Sequence, residues 1–129
     1  MSGKIDFTTL GGCTEDEVKF SGSKANVGNT NTTVKEYTIT RTGLYFVKIS
    51  ADNGTSTSKG RLSANCFKGD TEICSTGSWS VTAWSGNNFC ECETSLVIWL
   101  VEGDVLTMKV RNQNVTASVG WSLKVKNIF

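Results

Sequence analysis

At 129 residues the chain has the size of one domain and can bury about two thirds of its unfolded surface, so a single domain over 1–129 is predicted. Thirteen basic residues against twelve acidic ones, without a long run of like charge, leave no footprint for a polyanion and exclude nucleic acid as the expected partner. The longest apolar run, Leu96 to Val101, is far short of the roughly 20 residues of a membrane span, and the sequence has no His to act as the imidazole base of Ser-His-Asp or Cys-His devices.

Thr, Ser, Val, Gly and Asn dominate and favour strands and turns over helices. Turn signals recur at short intervals with no linker or repeat between them, the spacing of an all-β sandwich or barrel. The opening MSGKIDF lacks the apolar stretch of a signal peptide, which suits a cytosolic protein or a mature secreted form.

In chain order, strands are predicted over Lys4 to Thr9, Glu17 to Ser21, Val34 to Thr40 and Gly43 to Ala51. They continue over Arg61 to Lys68, Glu72 to Trp84, Phe89 to Val101, Val105 to Asn112 and Gly120 to Ile128. Two of them alternate cleanly: Leu106, Met108 and Val110 share one face against Thr107, Lys109 and Arg111, and Trp121, Leu123 and Val125 face inward against Ser122, Lys124 and Lys126. Leu44 to Val47 and Leu96 to Val101 are apolar on both faces, yet a two-layer sandwich covers only one face of a strand. A second copy of the chain, or long loops, must cover the other.

The order of these segments resembles the C1q-like and tumour-necrosis-factor-like family across nearly the whole chain. Tyr37 to Phe46 (YTITRTGLYF) resembles the family's aromatic strand, turn and Gly-x-Tyr-x-Phe strand, and Leu62 to Ile73 (LSANCFKGDTEI) its hairpin. Ser95 to Val110 resembles its apolar strand, Gly-Asp turn and return strand, and WSLKVKNIF its closing strand. Thr40 and Thr42 stand where the family often has Pro, Leu123 where it often has Gly, and no collagen-like Gly-x-y stem precedes the domain. The resemblance implies an all-β, two-sheet antiparallel jelly-roll sandwich that assembles as a homotrimer through one sheet. Phe46, Ile98, Trp99 and Leu100 are the predicted interface residues on the strands that resemble that sheet.

Five cysteines, Cys13, Cys66, Cys74, Cys90 and Cys92, suit two bridges and a spare thiol in an oxidising compartment, and five free thiols in a reducing one. Cys66 and Cys74 flank a turn predicted at Gly69 and Asp70, and a three-residue loop there sets them opposite each other, which makes them the favoured bridge. Cys13, in a Gly-Gly-Cys link, is expected to stay unbridged to the other four. The C-x-C and C-x7-C spacings do not match zinc knuckles, and no metal or cofactor is expected. Glu15, Asp16, Glu17 and Glu102 read as solvated charge rather than catalytic carboxylates, so an enzyme is not expected. Sequons at Asn31, Asn53 and Asn114 fall in stretches expected to be loops and suit a secreted chain.

Thr76 to Phe89 is the most suggestive segment. Alternation sets Trp79, Val81 and Ala83 on one face, with Trp79 in the core, and leaves Trp84 on a polar face beside Ser85, Asn87 and Asn88. An exposed indole with amide and hydroxyl neighbours can stack a sugar ring and bond its hydroxyls, or else fill a trimer contact. Three readings emerge: a secreted trimeric recognition domain with a glycan or cell-surface ligand, a structural scaffold trimer, and a cytokine-like receptor ligand.

Overall fold

The computed structural model describes residues 17–56, 60–82 and 88–129, and strands joined by short turns make up most of them. The strands are β1 (Glu17–Val27), β2 (Thr32–Thr38), β3 (Gly43–Ser56), β4 (Arg61–Lys68) and β5 (Thr71–Trp79). β6 (Val81–Thr82), β7 (Asn88–Leu100), β8 (Val105–Gln113) and β9 (Ala117–Asn127) complete the set. They form two antiparallel sheets, ordered β1-β9-β3-β7-β6 and β2-β8-β4-β5. The predicted strand at Lys4 to Thr9 and the expectation for Cys13 lie outside the described residues.

The core fills the gap between the sheets. Val47 and Ile49 from β3, Leu100 from β7, and Leu123 and Val125 from β9 meet Leu62 from β4 and Leu106, Met108 and Val110 from β8, all fully buried. The alternation predicted for β8 and β9 therefore holds. Where the strands end, turns are stitched between layers: Ile39 N donates to Asp104 O and Gly103 N donates to Ile39 O, each at 2.8 Å. In the same turn Gly103 adopts φ +95°, a conformation open mainly to glycine.

A buried polar knot joins the sheets at the other end. Asn53 in β3 accepts from the Cys90 backbone N–H at 3.0 Å and donates to Asn112 Oδ1 in β8 at 3.2 Å. Asn112 in turn donates to Val27 O at 3.1 Å. The Asn53 sequon thus sits in a strand with its amide buried and bonded, not in the expected loop, while Asn31 and Asn114 are exposed.

Two segments depart from expectation. The strand predicted over Glu72 to Trp84 crosses from one sheet to the other at Ser80, whose hydroxyl donates to Gly60 O and accepts from Gly60 N, both at 2.9 Å. That crossing ends β5 and starts β6, and it leaves Trp79 58% exposed instead of in the core. The β4–β5 hairpin turns through two residues, not three. Gly69 takes the first central position with φ +58°, and Lys68 pairs with Thr71.

Candidate functional site

β3 and β7 run side by side, so their alternations place whole rows of side chains on the outer face of the five-stranded sheet. Leu44 lies opposite Trp99, and Phe46 opposite Val97. Val97 is 56% exposed, Trp99 55%, and Val101, just past the strand, 50%. A half-buried Phe46 and Leu44 complete an apolar end of this face.

Two predicted interface residues belong elsewhere. Leu100 is fully buried in the core and Ile98 packs half-buried against it, because residues of even number in β7 point between the sheets. Val97, which sequence reasoning passed over, stands instead on the exposed row with Trp99, opposite Phe46. Period two announced one outward and one inward half of Leu96 to Val101, but a strand apolar on both faces carries no mark of which is which.

Further along the same face the character changes. Lys19, Lys124 and Lys48 are aligned across β1, β9 and β3, and Ser21, Ser122 and Ser50 form the next row. Like charges in register repel, and carboxylates offset them here. Glu17 bonds Lys19 at 3.1 Å and Lys124 at 3.4 Å, and Glu93 meets Lys48 at 3.4 Å. The bond from Lys19, with Lys124 adding to it, holds the Glu17 carboxyl below its ordinary range. The Ser50 and Ser122 hydroxyls bond each other. Beyond them Asp52 and Glu91 mark an acidic end, so the face grades from apolar through basic to acidic.

Cys66 and Cys74 are directly opposite in the β4–β5 register. A bulge restores this pairing after the shorter turn: Phe67 pairs with Glu72, and Ile73 is the extra residue. Both cysteines are present as thiols, Cys66 buried and Cys74 half-buried. A hydrogen bond from the Cys66 thiol stabilises the Cys74 thiolate and lowers its pKa, while the same contact and burial push Cys66 upward. Cys90 and Cys92 share the inner face of β7, as their spacing predicts. Cys90 Sγ lies 3.1 Å from Ser80 Oγ, and burial pushes the Cys92 thiol up to about 11. Among the described residues no three metal-ligating side chains gather, and no helix is long and apolar enough to cross a membrane.

Trp84, Ser85 and Asn87 lie outside the described residues. Asn88 opens β7, paired with Thr82 and Ser56.

This arrangement of strands recurs in known structures. A tumour necrosis factor from S. frugiperda, Eiger, matches at 12% identity with a TM-score of 0.53, covering 86% of this chain and 85% of that one. The globular domain of zebrafish complement 1qA matches at 12% identity and a TM-score of 0.58, covering 86% and 96%. A Bacillus endospore appendage protein, described as forming disulfide-linked pili, matches at 10% identity and a TM-score of 0.51, covering 86% and 85%. No protein-family model matches the chain, and no curated protein sequence does. The two-sheet antiparallel architecture is a jelly-roll sandwich. More narrowly, it is a jelly roll of the C1q and tumour necrosis factor type, as the order of motifs in the sequence implies.

Proposed function

We propose that this protein is a secreted, non-enzymatic recognition domain that works as a homotrimer, its subunits meeting through the apolar end of the five-stranded sheet. The carrying observation is the exposed cluster of Trp99, Val97 and Val101 with Phe46 and Leu44, on a face that the protomer's own core does not use. Closed rotational symmetry covers such a patch without leaving a sticky remainder, and the fold's likeness to a tumour necrosis factor and a complement 1qA domain favours threefold closure. Sedimentation of the unmodified protein tests it: a mass three times that of the chain supports the reading, and a monomer mass independent of concentration removes it.

Glycan recognition is the finer part of this reading, and its sequence-based site is Trp84 with Ser85, Asn87 and Asn88. Trp84→Ala is expected to weaken binding on a glycan array while moving the melting temperature by no more than a surface substitution does, about 0.5 kcal/mol in stability. Unfolding of this variant would assign Trp84 to the structure instead.

For a secreted chain, Cys66 and Cys74 are the proposed disulfide. Residues directly opposite in an antiparallel pair stand about 4.5 to 5.5 Å apart at Cα, within the range that a disulfide spans. With oxidised glutathione as acceptor of the two electrons, the pair is expected to lose its two thiol hydrogens and release two reduced glutathiones. Peptide mapping that finds both thiols intact after this treatment counts against the bridge.

A scaffold role is the second reading. Trp79 and Val81, 58% and 56% exposed on either side of the Ser80 crossing, leave apolar surface near the opposite end of β7 from Trp99, since Val81 pairs with Phe89. Two separated patches suit head-to-tail growth, which one closed trimer seam does not need. Filaments in electron micrographs of the purified chain would favour it.

A further inference from the structure

The outer face of the four-stranded sheet holds a cleft of about 340 Å³ that neither the core nor the proposed trimer seam uses. Its rows follow from register. Trp79, Arg61 and Gln113 lie in line across β5, β4 and β8, and Gly77, Ser63 and Arg111 form the next row. Ser75, Asn65 and Lys109 form the third. Odd-numbered residues of β4 point outward here because Leu62, Ala64 and Cys66 point into the core.

Three features of this face await a partner. Trp79 presents the most exposed indole among the described residues, 58% open, in a strand whose neighbours are Ser, Thr and Gly. Arg61 and Arg111 make no ion pair among the described residues, whereas Lys109 is occupied over the Phe67 ring at 4.8 Å. Gly77 leaves the space over which the Arg61 guanidinium lies: a Cβ there would stand 2.5 Å from Nη2. Finally Asn65 Oδ1, at the cleft, is buried with no hydrogen-bond donor. Such an acceptor ordinarily has a partner, and a ligand hydroxyl can supply one once the Asn65 amide turns towards the cleft. Glu72 also lines the cleft and opposes an anion, against two guanidiniums.

We propose that this face binds an acidic saccharide, with Trp79 stacking the apolar face of one ring, Arg61 and Arg111 holding a carboxylate, and Asn65 and Ser63 taking ring hydroxyls. A planar fork suits a carboxylate, and an indole suits the C–H face of a sugar. From Trp79 to Arg111 is two strand spacings across and two residues along, about 12 Å at Cα, which a disaccharide or trisaccharide spans. The inference rests on the recognition reading but uses none of the segment that carries Trp84.

The test is titration of the full chain with sialyllactose and with lactose, followed by calorimetry or saturation-transfer NMR. Sialyllactose is expected to bind at least about tenfold more tightly than lactose, and Trp79→Ala and Arg61→Gln each to weaken it about tenfold or more. Arg61→Lys, which keeps the charge but not the fork, should lose part of that affinity, with melting temperatures unchanged in all three because the side chains point away from the core. Equal binding of the two sugars, or variants that bind as the unmodified chain does, would overturn the proposal. Should Trp84→Ala abolish binding while Trp79→Ala leaves it intact, this site falls and the recognition reading stands. If no saccharide on the array or in titration binds, the glycan reading falls with it, and the trimer is judged separately by mass.

Discussion

Trp99→Glu is expected to yield a folded monomer, and Leu100→Glu an unfolded chain. The two residues are neighbours in one strand and equally apolar in the sequence, but one is 55% exposed and the other fully buried. A carboxylate at position 99 must be desolvated when the seam closes, and it replaces an indole whose burial is worth roughly 1.5 to 3 kcal/mol. At each of three seams this amounts to about a hundredfold or more in association, enough to dissociate a trimer at micromolar concentration. The same carboxylate at position 100 enters the core without a partner and belongs to the most severe class of substitutions, above about 4 kcal/mol. Light scattering and circular dichroism separate the outcomes: a third of the mass with an intact strand spectrum for Trp99→Glu, loss of the spectrum for Leu100→Glu. A Trp99→Glu trimer would show that the apolar end lies outside the seam.

How far the sequence reached can be read from particular residues. The strand positions of β8 and β9 and their inward rows Leu106, Met108, Val110 and Leu123, Val125 were legible because one wet face imposes period two. The outward row Val97 and Trp99 was not separable from Ile98 and Leu100, since both rows are apolar and only the register with β3 orients them. Trp79 was misplaced because period two was carried through Ser80, where the chain leaves one sheet for the other and alternation no longer holds. The Arg61 and Arg111 cleft was hidden for a different reason: its two arginines are 50 residues apart and meet only through the β4–β8 pairing. The Cys66–Cys74 juxtaposition was legible, though for a partly different reason: a two-residue turn followed by a bulge replaces the expected three-residue loop.

Asn112→Leu is expected to destabilise the fold by about 2 to 5 kcal/mol, although it replaces a polar residue in a core by an apolar one of similar size. Asn112 is fully buried, and its amide is the only side chain bonded both to Val27 O and to Asn53 among the described residues. Removing it strands Val27 O and the Asn53 amide N–H in the interior, each costing about 1 to 3 kcal/mol. Asn53 must then hold Cys90 N without its own anchor, so the tie between β3, β7 and β8 loosens as a unit. A pair of variants exposes that coupling: Asn53→Ala and Asn112→Ala together should cost less than the sum of the two, by about 0.5 to 3 kcal/mol, because the second change removes a group the first had already orphaned. Urea unfolding gives the measure, as a lower midpoint at unchanged slope. A midpoint shift equivalent to less than about 0.5 kcal/mol would place the knot among ordinary surface contacts and leave the joining of the sheets at this end to apolar packing alone.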